Sequence, residues 1–255
     1  MCLIALAHRC SKALPLIVAA NRDEFHARPT QPAGWWDDRP DVLGGRDLLA
    51  GGSWLAVHRR GRFAAVTNYR DAEPRDGAKY SRGNLVTGFL ESAQSPIGYL
   101  DSIDGSPYEG FNLLVWADGE LAYLSSQGDA PMRLPPGVYG LANARLDSAC
   151  DKVRRSKERL QRLLDDAAVS DTALLDLLAD RHTGPASEVD STRLPFAIAQ
   201  ATTAPFIVMP EFGTRCSTLV TVSGAGAWRF LERRFDADGS STGETTASFG
   251  AAEGP

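Results

Sequence analysis

The stretch Leu16-Ile17-Val18-Ala19-Ala20-Asn21-Arg22-Asp23-Glu24 decides the fold, because five apolar residues run directly into four polar ones. Residues 2–8 form another mainly apolar run, and both runs have the length and composition of β-strands. If they pair as an antiparallel hairpin, the polar tetrapeptide returns to lie beside Cys2. The alternative is a solvated turn whose Arg–Asp pair contributes little. The position opposite Cys2 favours a functional interpretation.

Further strands and helices are predicted along the chain. Turn residues at 60–61 and 117–119 predict hairpins, the first between strands 53–58 and 63–68. Apolar residues at helical spacing predict helices, and later apolar runs predict strands, as follows: helices 81–95, 148–166 and 171–179, and strands 206–209, 217–222 and 227–235. Because strands enclose a helical section, this order fits two packed sheets with helices outside.

The chain is expected to form one αβ domain over residues 1–235. Its 255 residues, 43% of them hydrophobic, are ample for a buried core. Residues 236–255 are rich in Gly, Ser and Thr and poor in apolar side chains. We therefore expect a flexible C-terminal tail there.

Composition excludes several classes of partner. A net charge of −5 argues against nucleic acid, which rewards a basic surface. No apolar run reaches the roughly 18 to 20 residues that span a membrane, so we expect no stable membrane insertion and a cytoplasmic location. Four scattered cysteines and four isolated histidines give neither a disulfide framework nor a metal-ligand spacing. A single axial haem ligand remains open.

Cys2 is the candidate nucleophile. Removal of Met1 would leave a thiol and a free α-amino group on the same residue. The α-amino group has a reference pKa of about 8, so part of it is neutral at cytoplasmic pH and can accept the thiol proton. This chemistry suits cleavage of an amide or a thioester through an acyl-enzyme. The alternative is that Cys2 is a small buried residue that opens a strand.

Other residues have the chemistry of supporting groups. An arginine beside Cys2 would favour the thiolate, and a carboxylate there would hold the α-amino group. Asn68, Tyr69 and Asn143 could supply the N–H groups of an oxyanion hole, although each asparagine is also a common turn or cap residue. Trp54 could line an apolar pocket or belong to the core.

Taken together, these fragments resemble the NRDE, or transport-and-Golgi-organisation-like, family. The resemblance covers about residues 1–235 and rests on these motifs: Met1-Cys2, Asn21-Arg22-Asp23-Glu24, Gly44-Gly45-Arg46-Asp47, Gly51-Gly52-Ser53-Trp54-Leu55, Thr67-Asn68-Tyr69-Arg70, Ser81-Arg82-Gly83, Gly140-Leu141-Ala142-Asn143 and Gly213-Thr214-Arg215-Cys216-Ser217-Thr218. That family in turn is similar to the cysteine N-terminal nucleophile hydrolases. The resemblance implies an α+β fold, an αββα sandwich of two mainly antiparallel sheets.

The resemblance also implies roles for individual residues. Cys2 would be nucleophile and base, Arg22 the thiolate partner, and Asp23 or Glu24 the anchor of the α-amino group. The remaining implied residues are Asn68, Tyr69 and Asn143 at the oxyanion, Arg215 in the polar cluster, and Asn21, Glu24 and Trp54 at the substrate.

Two classes of function follow from this resemblance. The first is a hydrolase that cleaves a small-molecule amide or thioester through Cys2 and requires no cofactor. The second is a trafficking protein that binds haem, acyl-CoA or lipid in the same cleft without turnover. A weaker third possibility is a scaffold with a vestigial site. Cys2→Ala separates the first two classes. It should abolish the turnover of a hydrolase, and it should leave the ligand affinity of a carrier nearly unchanged.

Overall fold

A computed structural model describes residues 2–70, 72, 78–128, 130–189, 192 and 194–250. Its strands are Cys2–His8 (β1), Leu16–Phe25 (β2), Thr30–Trp36 (β3), Arg39–Asp47 (β4), Leu55–His58 (β5), Arg62–Asn68 (β6), Phe111–Ala117 (β7), Glu120–Ser125 (β8), Met132–Arg133 (β9), Gly137–Leu141 (β10), Phe212–Val222 (β11), Trp228–Phe235 (β12) and Ser241–Phe249 (β13). Its helices are Gly83–Glu91 (α1), Pro96–Asp101 (α2), Asp151–Asp165 (α3), Asp171–Leu178 (α4) and Phe196–Ala201 (α5), with a short 3-10 helix at Ala186–Glu188.

The strands form two antiparallel sheets. The first sheet has the order β10-β1-β2-β11-β12-β13, and the second has the order β3-β4-β5-β6-β7-β8-β9. The hairpin predicted from the opening sequence is confirmed, because β1 and β2 pair antiparallel with Cys2 directly opposite Arg22. The hairpins at 60–61 and 117–119 are confirmed as well.

Alternation along the strands builds the layers. Even-numbered residues of β1 and β2, such as Leu6 and Val18, pack against the second sheet around Phe63. Odd-numbered residues, such as Ile17, pack instead against α3 and α4, while α1 and α2 cover the outer face of the second sheet. Full burial of one such large side chain contributes roughly 2 to 3 kcal/mol. The predicted αββα sandwich is thus confirmed.

Three expectations about the elements are wrong in detail. Residues 241–249 are not a flexible tail but form β13, which pairs with β12. The strand is polar because it lies at a sheet edge, where backbone pairing holds it and one face stays exposed. Residues 251–255 lie outside the described residues. Residues 206–209 are not a strand but a loop, with a bridge from Val208 to Gly213. β2 does not end before the polar tetrapeptide but continues through it to Phe25.

Among the described residues, no helix has both the length and the apolar character needed to cross a bilayer.

Candidate active site

Cys2 lies at the edge of a cleft. It is the first residue of β1, is half-buried, and faces a cavity of about 780 Å³ between the two sheets. Arg22, on the neighbouring β2, stands in register with Cys2 on one side and with Cys216 of β11 on the other. Directly paired residues point to the same side of a sheet, so Cys2 and Arg22 share the cleft face.

Asn143 fixes the start of β1. The Cys2 N–H donates to Asn143 Oδ1 at 2.9 Å, and Asn143 Nδ2 donates to the Asn68 carbonyl at 2.9 Å. The Asn143 side chain is buried, with 7% of its surface exposed. Its amide carries a second N–H that these contacts do not use. The exposed Asn68 side chain lines the cleft, and Asn143 joins its backbone to the start of β1.

Tyr69 does not play the part that the sequence predicted. Its backbone N–H donates to the Gly110 carbonyl at 2.9 Å and is therefore already used within the protein. The prediction that this amide faces the oxyanion is wrong, because the bond to Gly110 extends the pairing of β6 with β7, in which Asn68 lies opposite Phe111. The Asn68 side chain, in contrast, lines the cleft.

Arg22 is held in place from several sides. Only 5% of its side chain is exposed, and its guanidinium lies over the Trp54 ring, 4.3 Å from the centroid. Its Nη2 lies 3.8 Å from Glu24 and 3.7 Å from Asp47. The geometry brings Arg22, Glu24 and Trp54 to the cleft, where the sequence predicted them. Arg22 therefore places a fixed positive charge on the same face of the sheet as Cys2.

Asp23 points the opposite way, toward the helices. It is 3% exposed, and Thr214 Oγ1 donates to its Oδ1 at 2.7 Å. Burial raises the pKa of Asp23, while the nearby charge of Lys152 acts against this rise. Glu24 remains on the cleft face with Arg22 and Arg28. Strand alternation therefore separates the two carboxylates that could anchor the α-amino group.

Lys152 is a buried cation that sequence reasoning missed. It lies in the first turn of α3, is 6% exposed, and donates from Nζ to the Thr202 carbonyl at 3.2 Å. Burial lowers the pKa of Lys152, and the nearby Asp23 carboxylate opposes that shift. In the sequence this lysine belongs to a strongly charged helix, which gave no sign that it points inward.

Asn21 does not contact the cleft. It is 2% exposed, and its Nδ2 donates to the carbonyls of Leu178 and Pro205, each at 2.9 Å. Its Oδ1 accepts a hydrogen bond from Ser217 at 2.6 Å. The predicted role in substrate binding is wrong, because alternation turns this side chain toward the helix layer, where it ties α4 to the first sheet.

Arg215 also lies away from the cleft. Its Nη1 donates to the carbonyls of Phe25, His26 and Arg28 at 2.9, 3.2 and 3.3 Å. The strand register shifts between Thr214 and Cys216, so Arg215 sits at a β-bulge that redirects its side chain. The predicted place in the catalytic cluster is wrong, and Arg215 instead holds the turn after β2.

Arg82 is a second residue whose role sequence reasoning missed. It precedes α1, lines the cleft with Cys2, and donates from Nη1 to the Gly110 carbonyl at 3.1 Å. The motif Ser81-Arg82-Gly83 was part of the family resemblance, but it carried no assigned function. Within the described ranges, no group of three or more His, Cys, Asp or Glu side chains could hold a metal ion.

Comparison with protein families identifies relatives over nearly the whole chain. The family model described as Transport and Golgi organisation 2 matches residues 1–237. The Transport and Golgi organization protein 2 homolog of Homo sapiens is 35% identical over 242 residues, covering 87% of each chain. The Drosophila melanogaster protein of the same name is 28% identical over 242 residues, covering 85% of each chain.

Solved structures share the fold. An N-acylethanolamine-hydrolyzing acid amidase ortholog from Caenorhabditis elegans has a TM-score of 0.53 at 11% identity, covering 87% of this chain and 92% of its own. A mutant conjugated bile acid hydrolase from Clostridium perfringens has a TM-score of 0.54 at 8% identity, covering 100% of this chain and 94% of its own. At such low identity the likeness establishes the N-terminal nucleophile hydrolase fold alone.

Proposed function

The chain belongs to the Transport and Golgi organisation 2 family, and we propose that it is a cysteine hydrolase that cleaves an amide or thioester bond through Cys2. One observation carries the proposal: Cys2 begins a strand at the cleft, opposite a buried arginine and bonded through its own nitrogen to Asn143. The two solved structures of this fold are named as hydrolases of conjugates or acyl amides, which supports the same reaction class.

The chemistry would proceed in two halves. After Met1 is removed, the α-amino group of Cys2 takes the proton from Sγ, and the thiolate attacks the substrate carbonyl. Asn68 and Asn143 donate hydrogen bonds to the resulting oxyanion. The C–N or C–S bond then breaks, and the leaving group takes the proton from the α-ammonium. Water attacks the thioester on Cys2 and gives its proton to the α-amino group, and the thiol leaves with that proton.

Asp23 and Glu24 are the alternative anchors of the α-amino group. Asp23 lies in a buried polar cluster with Lys152 near Cys2, which favours it. Glu24 is engaged by Arg22 and Arg28 on the cleft face. Asp23→Asn should therefore reduce turnover more than Glu24→Gln.

Mass spectrometry of the intact protein tests the first requirement. Loss of Met1, with labelling of Cys2 by a thiol-directed electrophile near neutral pH, is the expected result. Cys2→Ala should remove both the label and turnover of a panel of amides and thioesters. Cys10→Ala, outside the cleft, is the matched control and should leave both unchanged. Retained Met1, or an inert Cys2, would refute the mechanism.

Binding without turnover is the outcome that the same experiments must separate. If Cys2→Ala binds haem or acyl-CoA as the wild type does, and the wild type cleaves nothing in the panel, the cleft serves a carrier. Among the described residues that line the cleft, Cys2 and Tyr80 are of types that ligate haem iron. We further expect a cytoplasmic location, because the four free thiols need a reducing compartment.

A further inference from the structure

Four cationic side chains line the cleft, and their charges are balanced in different ways. Arg22 lies 3.7 Å from Asp47, and Arg28 lies 2.6 Å from the same carboxylate. Lys79 and Arg82, in contrast, have no carboxylate at ion-pairing distance anywhere in the part of the chain that the structure describes. The cleft therefore holds two cations that the protein itself leaves without a close counter-charge.

Arg82 is the better placed of the two. It is half-buried, and within the described residues its side chain makes one hydrogen bond, from Nη1 to the Gly110 carbonyl. Burial lowers the pKa of the Arg82 guanidinium, and the nearby Glu109 carboxylate acts against that shift. Arg82 and Cys2 line the same cleft. A guanidinium that has lost part of its water and has N–H groups left over binds a carboxylate or phosphate strongly.

The backbone beneath Arg82 is fixed by close packing. A Cβ atom on Gly52 would lie 2.6 Å from the carbonyl carbon of Gly83, and one on Gly83 would lie 2.9 Å from the Ser53 nitrogen. The start of α1 thus rests directly on the loop before β5, with no side chain between them. Arg82 precedes this contact, so its position relative to the cleft floor is set before any ligand binds.

We propose that Arg82, assisted by Lys79, forms an anion subsite beside Cys2, and that the substrate carries a carboxylate or another anionic group next to its scissile bond. This assignment rests on the proposed function, since it names the substrate class of the same cleft. Glu109 also lines the cleft, and its negative charge weakens the attraction of Arg82 for distant anions. An anionic group of the substrate must therefore lie close to the guanidinium.

A pair of alkylating reagents tests the subsite without knowledge of the substrate. Iodoacetate and iodoacetamide attack the same sulfur and lose the same leaving group, but only iodoacetate carries a carboxylate. Both rate constants at Cys2 are proportional to the fraction of thiolate, so this fraction cancels in their ratio. The ratio therefore reports the preference of the cleft for an anionic reagent. Each rate is measured on Cys2 alone by peptide mapping.

Arg82→Gln should lower the iodoacetate-to-iodoacetamide ratio by at least about fivefold, the effect of losing one charge a few ångströms from the reagent. Arg82→Lys should keep most of the preference, and Glu109→Gln should raise it. Lys79→Gln, at an exposed position that does not endanger folding, should lower the ratio by a smaller factor. Arg133→Gln, on the remote β9, is the control and should leave it unchanged.

The outcomes separate the two claims. Equal ratios in the wild type, Arg82→Gln and Lys79→Gln, with Cys2 labelled normally, would overturn the anion subsite and leave the hydrolase proposal standing. Failure of both reagents to label Cys2 in the wild type would overturn the hydrolase proposal, and the substrate assignment with it. A screen of paired neutral and anionic amides then reads the same preference as kcat/KM.

Discussion

Replacement of Asn143 by aspartate changes one atom of a buried side chain and reverses what that atom can do. The oxygen that accepts from the Cys2 N–H is kept, but the Nδ2 that donates to the Asn68 carbonyl becomes a second acceptor. Two oxygens then face each other at 2.9 Å in a site that is 7% exposed. The variant therefore tests both halves of the role of Asn143, in stability and in the environment of Cys2.

The size of both effects follows from these contacts. Loss of one buried hydrogen bond, with an acceptor left unsatisfied, should cost about 2 to 3 kcal/mol of unfolding free energy. The new carboxylate would lie beside the Cys2 nitrogen, and a like charge within a few ångströms of the sulfur should move the pH midpoint of alkylation upward by about one unit. Guanidinium chloride unfolding measures the first effect, and iodoacetamide rates between pH 5 and 10 measure the second.

Asn84→Asp supplies the matched control. Asn84 is exposed in the same cleft, so this variant adds an equal charge without touching Cys2. It should shift the alkylation midpoint by a smaller amount and leave stability nearly unchanged. If Asn143→Asp left the midpoint where the wild type has it, or shifted it no more than Asn84→Asp, the contact between Asn143 and Cys2 would not be part of the site.

Three further variants test the surroundings of the cleft. Lys152→Met should lower stability by an amount that grows as the pH rises above about 4. Burial already raises the pKa of Asp23, and loss of the lysine charge raises it further. In the folded variant Asp23 then keeps its proton over a wider pH range in which the unfolded chain has lost it, so the free energy of unfolding decreases as the pH rises. Urea unfolding at pH 4.5 and 7.5 measures the difference. Arg215→Met should lower the free energy of unfolding by about 2 kcal/mol, because three hydrogen bonds are lost. The pH profile of Cys2 alkylation should stay unchanged, whereas loss of a catalytic arginine would shift it. Gly52→Ala should destabilise by at least about 1 to 3 kcal/mol in denaturant unfolding, because its Cβ meets backbone at 2.6 Å.

Local pattern was enough to place the centre of the fold. An apolar run that ends in polar residues, next to a second run that begins at Cys2, allowed few pairings, and the hairpin predicted that residues 21–24 would lie beside Cys2. The exact partner, Arg22, came from the structure. The αββα layers followed from the order of strands and helices together with the family resemblance. Helices α3 and α4 were found because their leucines repeat at helical spacing.

The sequence pattern was less informative for strands that are held by backbone pairing with a neighbour and not by buried side chains. Thr30–Trp36 contains Pro and two adjacent tryptophans, and Ser241–Phe249 is almost wholly polar, so neither shows strand alternation in sequence. Long-range contacts were also hidden. That the Tyr69 N–H is taken by Gly110, or that Lys152 turns toward Asp23, depends on segments that meet only in the folded chain.

A single extra residue in β11 decides which group faces Asp23. From Val222 to Cys216 the register with β2 is regular, and its continuation would place Arg215 opposite Asp23. The bulge removes Arg215 from the ladder and brings Thr214 opposite Asp23, where its hydroxyl donates at 2.7 Å. A guanidinium in that place would hold the carboxylate in an ion pair, whereas a hydroxyl donates one hydrogen bond and adds no charge. The bulge therefore gives Asp23 a hydroxyl partner in place of a guanidinium, and it sends Arg215 to the carbonyl groups of the loop after β2.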